Sequence, residues 1–403
     1  MGMLPMALGF PVLPQLLLDA CGGNSSRASL VNGVVGASAG VIKALISPVL
    51  GKLTDAKGRK CVLQWIFLAA MAEYMVLGLL FRRLWALVLV NLVGSMVGLI
   101  FVVTRAMIGD LTAKVTKDTA KARMWGLYGA VVGFVLAVGP LLGGALFNRL
   151  GPRFLLWLMF GIAVVNAAVN PLLPLETSVG RPQAEMDWSG ASLNPIPDLK
   201  ILFEKKRLVL LALSLALTNL AEGGFQSVFF LYCSEMFGWG PSEIGIFLSF
   251  VGVTLMVSEG LLPGPVVSIL GEKFTIITGQ AFEMLHFLVF ALASSGSFMY
   301  LGVIVGIPRF ISSPTLRSVI ARQVEPDKQG LLQGAVNSLG MLLQPFAPMV
   351  ASTLFAIFSK KDGIYYPGAP MLAMSVLCSL PIMLTLQAFR RSEEAGLYLR
   401  TFT

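Results

Sequence analysis

The ten residues GKLTDAKGRK, from Gly51 to Lys60, form a short polar stretch between two long apolar runs. The runs cover residues 28–50 and 61–80, and a helix of about 20 apolar residues is long enough to cross a bilayer. Five of the ten residues in the polar stretch are charged, so the stretch belongs in water. The sequence therefore predicts two membrane-spanning helices joined by a short charged loop.

The composition extends this prediction to the whole chain. Of its 403 residues, 56% are hydrophobic and only 13% are charged, whereas a soluble domain has about 25% charged residues. This balance excludes soluble, fibrous and disordered proteins. The apolar runs are too long for the ~10-residue alternating strands of a membrane barrel. We therefore predict an all-α integral membrane protein.

Twelve apolar runs predict twelve transmembrane helices, numbered here as spans 1 to 12. They cover residues 2–19, 28–50, 61–80, 84–109, 122–147, 153–174, 207–232, 241–270, 276–294, 297–320, 330–358 and 367–389. We expect spans 8 and 11 to be tilted, because they are long. The predicted organisation is two pseudo-symmetric six-helix bundles with a cytoplasmic linker and tail. The four segments are 1–174, 175–206 (the linker), 207–390 and 391–403 (the tail).

The basic residues are distributed unevenly over the predicted loops. If both termini are cytoplasmic, 20 of the 30 Lys and Arg residues lie on the cytoplasmic side, 7 lie in outside loops and 3 lie within spans. Cytoplasmic loops of membrane proteins are rich in Lys and Arg, so this split predicts cytoplasmic termini. The adjacent Arg82 and Arg83, in an outside loop, are the main exception.

Two short patterns recur in both halves of the chain, at separations of 213 and 205 residues. They are Gly51 and Gly58 with Gly264 and Gly271, and residues 129–131 with residues 334–336. The agreement between the two separations indicates an internal duplication, which is typical of transporters.

Polar side chains inside the predicted spans are candidate sites, because a charge in a bilayer is costly. In span 7, Asn219, Glu222 and Gln226 are spaced three and four residues apart and share one helix face. Glu222 is the first candidate for proton coupling or for binding a cationic group. The alternative is a buried carboxylate in a fixed hydrogen bond between helices.

Arg309 in span 10 keeps its proton, so it is expected to bind an anion or to pair with an acid. Glu222 and Glu259 are the possible partners, and Glu259 is also a second acidic candidate. A permanent structural ion pair is the alternative. In span 11, Asn337 and Gln344 either hydrogen-bond a ligand or pack between helices.

The residues that carry enzyme or metal chemistry are scarce. The chain has one histidine, His286, and four cysteines without a CxxC pattern. It contains no HExxH motif and no nucleotide-binding loop. We therefore expect no metal, no cofactor, no nucleic-acid partner and no enzymatic activity. The first apolar run has no basic region before it, so no cleavable signal peptide is predicted.

The loop at Gly51–Lys60 resembles the signature G-x-L-x-D-x-x-G-R-K of the major facilitator superfamily at every defining position. Glycine at position 58 permits a tight turn, and Asp110 at the end of span 4 is the natural partner of Arg59. The resemblance implies that this cluster latches the two halves together in the outward-facing state. The gating set is Gly51, Asp55, Gly58, Arg59, Lys60 and Asp110.

Span 5 resembles the antiporter motif G-x8-G-x3-G-P-x2-G-G of drug and tetracycline exporters, with Val135 in place of the second glycine. Small residues at helical spacing let helices approach backbone to backbone. The alternative is an ordinary glycine-rich packing face. The matching residues are Gly126, Gly139, Pro140, Gly143 and Gly144.

Residues 237–245 and 324–334 resemble the tetracycline-efflux-like branch, which includes the hippocampus-abundant-transcript-like proteins, and the likeness covers nearly the whole chain. It implies a monomeric secondary active transporter in the lipid bilayer, which moves a small molecule by alternating access through proton-coupled antiport or efflux. The alternatives are a facilitative uniporter or symporter of the same fold, or a non-transporting receptor or scaffold.

Some features depart from the family pattern. Span 1 begins almost at Met1 and lacks an early acidic residue, which suggests a missing N-terminal piece, and Ser268 replaces the acid in the second copy of the loop.

In this fold spans 3 and 9 are peripheral. A structural role is therefore expected for Glu73, Glu283 and His286, while Lys43 and Arg105 are expected to extend towards the interface.

Overall fold

A computed structural model describes residues 2–113, 118–172, 199–261, 263–325, 329–360 and 363–394. The regular elements of these residues are helical. The first group of α-helices is α1 (Leu4–Gly9), α2 (Leu13–Ala20), α3 (Ser25–Lys57), α4 (Arg59–Leu80), α5 (Leu84–Val97), α6 (Ile100–Ala113) and α7 (Asp118–Val169). A short 3-10 helix, Asn170–Leu172, follows α7.

The second group begins with α8 (Lys200–Phe203), α9 (Lys206–Phe237), α10 (Pro241–Leu261) and α11 (Pro263–Ala291). It continues with α12 (Gly296–Val305), α13 (Arg309–Ala321), α14 (Gln329–Leu343), α15 (Phe346–Phe358), α16 (Ala369–Leu377) and α17 (Ser379–Glu394).

The helices account for the twelve predicted spans. Ten stretches of the described residues are long and apolar enough to cross a membrane, and one of them, Leu127–Leu172, has 46 residues. A straight helix of that length would measure about 70 Å, more than twice the hydrocarbon thickness. It bends at Gly151, whose φ is 80°, and so supplies spans 5 and 6. The pair α1 and α2 supplies span 1, interrupted beside Pro11.

Several spans that the sequence predicts as continuous are broken. Span 10 divides into α12 and α13 before Arg309, and span 11 divides into α14 and α15 at Pro345. Proline has no backbone N–H and clashes with the preceding turn, which explains these breaks. The long span 11 therefore consists of two helices rather than one. Span 4 divides at Gly98 without a proline.

The two copies of the glycine loop have the same backbone conformation. Gly58 has φ 90° and ψ 146°, and Gly271, 213 residues later, has φ 71° and ψ 163°. Side-chain-bearing residues rarely adopt a positive φ, so glycine is needed at both turns. The shared geometry supports the internal duplication inferred from the sequence.

Packing divides the described residues into two compact units. One is drawn from residues 1–193 and 233–256, and the other from residues 194–232 and 257–403. The first has an apolar core of α1, α2, α4, α5, α6 and α7 side chains that includes Leu77 and Met159. The second has a core of α8, α9, α11, α13, α14 and α17 side chains. The predicted linker lies largely outside the described residues, as does residue 395 onward of the tail.

The glycines of α7 create close helix contacts with α1. A Cβ atom on Gly143 would overlap the backbone carbonyl of Leu8, and one on Gly139 would overlap Ala7. Neither position has room for a side chain without moving the backbone of α1. The glycine face therefore holds span 1 against span 5 at backbone distance.

The same helix packs against α10 inside the first unit. The hydroxyl of Ser242 donates a hydrogen bond to the carbonyl of Gly144 at 3.1 Å. A Cβ on Gly144 would overlap Pro241, and a Cβ on Gly245 would overlap the carbonyl of Pro140. These contacts explain why residues 233–256 join the first unit. The surroundings of Gly126, the first predicted motif position, lie outside the part of the chain that the structure describes.

We expect Gly143→Ala to destabilise the protein by about 1–3 kcal/mol, because the added methyl group overpacks the contact with Leu8. Gly129→Ala on the same helix is the matched control, since a Cβ there has no neighbouring atom within 4 Å. The measurement is the thermal unfolding midpoint in detergent micelles. Equal midpoints for the two variants would contradict the close contact.

Candidate functional site

An ion pair joins spans 7 and 10 in the second unit. Nη1 of Arg309 lies 2.6 Å from Oε2 of Glu222, and the two side chains are 10% and 30% exposed, respectively. Nε2 of Gln226 donates to the other oxygen of Glu222 at 3.2 Å. Of the two acids considered as partners of Arg309, the structure pairs Glu222. The side chain of Glu259 lies outside the described residues.

The break in span 10 positions Arg309. Pro308 is the N-cap of α13 and Arg309 is its first residue. The carboxylate of Glu222 thus lies near a helix N-terminus, where backbone dipoles favour negative charge. The guanidinium also stacks on Phe310, with 4.4 Å between Cζ and the ring centroid. Its Nε is buried and has no hydrogen-bond partner among the described residues.

Two buried groups of α11 lie within electrostatic range of this pair. Glu283 interacts with both Arg309 and Glu222, and His286 interacts with Arg309. Their side chains are almost completely buried. The sequence predicts a structural role for both because span 9 is peripheral. Two sequence features could have indicated that these residues belong to the site. His286 is the single histidine of the chain, and it follows Glu283 by three residues, which puts both on one helix face.

The surroundings of His286 assign its ring protons. Nδ1 lies 2.7 Å from the carbonyl oxygen of Gly302, and a carbonyl only accepts, so Nδ1 carries a proton. Nε2 is then an acceptor in the neutral ring, and it is buried with no partner among the described residues. The ring centroid lies 4.2 Å from that of Phe290. The imidazole therefore offers an unused proton acceptor inside an aromatic environment.

The charges in this cluster do not balance if every group is ionised. Glu222 and Glu283 are two carboxyl groups, and among the described residues Arg309 is the permanent cation that acts on both. An uncompensated carboxylate in a dry interior is strongly disfavoured. The described cluster therefore has two acidic groups that share one counter-charge.

The remaining amide candidates of the second unit are exposed. Asn219 lies one turn before Glu222 on α9, Asn337 lies on α14, and Gln344 lies in the break of span 11. Within the described part of the chain, the structure shows no hydrogen bond from these three side chains. An amide is costly to leave unpaired in lipid, so their exposure favours contact with water or a polar ligand. Of the four amides predicted, the structure brings Gln226 into contact with Glu222.

The signature loop ties three helices of the first unit together. Nε of Arg59 lies 2.6 Å from Oδ2 of Asp110, and Nη2 lies 3.4 Å from Oδ1. Nη1 donates to the hydroxyl of Thr54 at 3.2 Å. Lys60 Nζ donates to the carbonyl of Pro171 at 2.9 Å. The pairing of Arg59 with Asp110 is as expected, while the surroundings of Gly51 and the side chain of Asp55 lie outside the described part of the structure.

Glu73 and Lys43 also lie inside spans of the first unit. Glu73 is buried against Gly94, and no described residue gives Oε2 a hydrogen bond. Lys43 lies beside Gly98, where span 4 is broken. Neither side chain has an ion-pair partner in the part of the chain that the structure describes. Glu73 is thus a buried carboxyl group without an arginine, in contrast with Glu222.

The chain is similar to known proteins over nearly its full length. Residues 1–392 match the family model of the Major Facilitator Superfamily. The chain is 24% identical over 394 residues to hippocampus abundant transcript-like protein 1 of Homo sapiens, covering 92% of this chain and 76% of that protein. It is 27% identical over 353 residues to tetracycline resistance protein, class C, of Escherichia coli, covering 87% and 86%.

The fold is also that of a solved structure. The crystal structure of the human organic anion transporter MFSD10 (TETRAN) superposes with a TM-score of 0.69 at 19% sequence identity, covering 95% of this chain and 96% of that chain. A likeness at this identity concerns the fold alone. It confirms the predicted class, an all-α integral membrane protein with twelve transmembrane helices in two six-helix bundles.

The contact between Arg59 and Asp110 predicts strong coupling between these two residues. We expect Arg59→Gln and Asp110→Asn each to lower the free energy of unfolding by about 1–3 kcal/mol, because each leaves a half-buried partner unpaired. The double variant should lose less than the sum. The measurement is a double-mutant cycle on unfolding in micelles.

The exposed pair of Arg322 and Glu272 is the matched control for that cycle. Its coupling should be much smaller, because solvent screens exposed ion pairs. Additive effects of the Arg59 and Asp110 variants would show that their contact does not stabilise the loop.

Proposed function

The chain belongs to the major facilitator superfamily and is a multi-pass membrane transport protein, and on this basis we propose that it exports a small molecule in exchange for protons by alternating access. The observation that carries the proposal is the Glu222–Arg309 ion pair with Glu283 buried in its electrostatic range. Members of this family transport small molecules and are not enzymes.

In the proposed cycle, the proton and the substrate bind the cluster at different times. The substrate binds while Glu222 is ionised and paired with Arg309. When Glu222 takes up a proton, it no longer balances the charge of Arg309, so the guanidinium turns to Glu283 and the substrate is released. Exchange follows because the protonated and the substrate-bound forms exclude each other.

The exposed amides provide hydrogen bonds for the substrate in this proposal. Gln226 already contacts Glu222, so movement of the carboxylate is transmitted to an exposed polar side chain. Asn219, Asn337 and Gln344 are exposed within apolar spans. Glu259 is proposed as a second acidic group. The Escherichia coli relative is named a tetracycline resistance protein, which favours export over uptake.

The remaining features follow from the same proposal. We place both termini in the cytoplasm on the distribution of Lys and Arg. The protein works as a monomer in the bilayer, with bundles at 1–174 and 207–390, the linker at 175–206 and the tail at 391–403. The contact of Arg59 with Asp110 supports a gating role for the signature loop, in which Gly51, Asp55, Gly58 and Lys60 also take part. The glycines of α7 support the antiporter assignment.

The test requires a ligand, found by thermal-shift screening of the purified protein with tetracyclines and organic anions. We expect Glu222→Gln to abolish accumulation driven by a pH gradient in liposomes, and to spare counterflow of the same ligand. Glutamine keeps the size and hydrogen bonding of the acid but does not titrate, and counterflow needs only the conformational change. We expect Glu283→Gln to reduce pH-driven accumulation at least tenfold, again with counterflow retained.

Glu73→Gln is the matched control, because Glu73 is also a buried membrane carboxyl group but has no arginine partner. It should leave pH-driven accumulation unchanged. Full accumulation in Glu222→Gln would remove the proton-coupling role of the pair. Flux that is independent of pH in the wild type would instead identify a facilitative uniporter, and ligand binding without flux would identify a receptor.

A further inference from the structure

Arg82 and Arg83 are the main exception to the predicted distribution of basic residues. They lie between α4 and α5, in a loop predicted to lie outside, where Lys and Arg are normally few. Both side chains are exposed. Arg82 stacks on Phe81, with Cζ 5.7 Å from the ring centroid. Among the residues that the structure describes, neither guanidinium pairs with a carboxylate. The two adjacent positive charges are therefore not balanced by a described acidic side chain.

An open depression extends from this arginine pair along span 4. Its volume is about 690 Å³. The two arginines form one end, and the rest of the lining is apolar. The apolar lining residues are Leu84, Trp85, Val88, Leu89 and Leu92.

The apolar part follows one face of α5. Trp85, Val88 and Leu92 are spaced three and four residues apart, so they form a stripe about 10 Å long on one side of the helix. Trp85 is 60% exposed and Leu89 is 50% exposed. Tryptophan next to arginine at the end of a span is typical of the boundary between headgroups and acyl chains.

We propose that this depression binds one anionic phospholipid, with the phosphate on Arg82 and Arg83 and an acyl chain along the stripe of Trp85, Val88 and Leu92. Guanidinium groups bind phosphate oxygens through paired, charge-assisted hydrogen bonds. Arg83 is also the N-cap of the 14-residue α5, whose helix dipole favours a negative charge at that end.

A lipid fits this surface better than a soluble anion does. A free phosphate ion would contact the arginines only, and the stripe of Trp85, Val88 and Leu92 would then face bulk lipid. An acyl chain attached to the phosphate covers the stripe, because both lie on the same helix end. The ligand is therefore an anionic headgroup with an attached chain. This site lies within the first unit and is independent of the proposed proton coupling in the second.

The test uses the purified full-length protein in micelles, titrated with phosphatidylglycerol or with phosphatidylcholine of the same acyl chains. Binding is followed by native mass spectrometry and by the thermal unfolding midpoint. We expect the double variant Arg82→Gln/Arg83→Gln to bind phosphatidylglycerol about 30-fold more weakly than the wild type. The matched control is Arg149→Gln/Arg153→Gln, which removes two other exposed arginines and should bind as the wild type does.

Three results would overturn the proposal. Equal binding of the two lipids would show that the headgroup charge does not matter, and equal losses in both double variants would show general electrostatic attraction. The same stabilisation by millimolar inorganic phosphate alone would identify a soluble-anion site.

A second measurement does not depend on the arginine variants folding. Brominated phosphatidylglycerol should quench tryptophan fluorescence more than brominated phosphatidylcholine does. The excess quenching should disappear in Trp85→Phe and persist in Trp65→Phe, which changes another exposed tryptophan of the first unit. Excess quenching that persists in Trp85→Phe would also overturn the proposal.

Discussion

The ion pair between Arg309 and Glu222 is the interaction on which the candidate site depends. A guanidinium in the middle of a span is tolerated only with a counter-charge, because the surrounding lipid and protein solvate charge poorly. The break before α13 places Arg309 at a helix start, so the carboxylate that balances it is also favoured by the helix dipole. The same arginine also acts on Glu283, so the two acids share one counter-charge.

The sequence predicts the architecture well because the rules that govern it are local. The length of an apolar run decides whether a helix crosses the bilayer, and a glycine such as Gly58 marks a turn that needs a positive φ. The partner of Arg59 was also predictable, because Asp110 is the acid at the neighbouring end of span 4. In contrast, the proximity of Glu283 and His286 to Arg309 could not be predicted from the sequence. It depends on which face of α11 turns towards α13, and that is decided by packing between spans far apart in sequence.

The helix breaks also show that local sequence rules predict only part of the structure. Pro345 marks the division of span 11 in the sequence, although the length of the run suggested a tilted continuous helix. The division of span 4 at Gly98 has no such mark. The motif glycines were visible, but their partners were not. Gly143 faces the backbone of Leu8, and Gly144 faces Pro241 on a helix of the second half. The glycine face of α7 therefore packs against both α1 and α10, which explains why residues 233–256 pack with the first unit.

The close contacts of α7 and the ion pair of α13 place opposite demands on the protein. A helix contact at backbone distance tolerates almost no change in side-chain volume, so it acts as a rigid joint. An arginine within range of two acids has at least two possible pairings, so in the proposed mechanism it acts as a switch. Transport by alternating access needs both, because a change in protonation must move whole helices rather than single side chains. In this chain the rigid contacts involve α1, α7 and α10, whereas the titratable groups lie on α9, α11 and α13. The proposed mechanism thus separates the elements that carry the motion from the residues that trigger it.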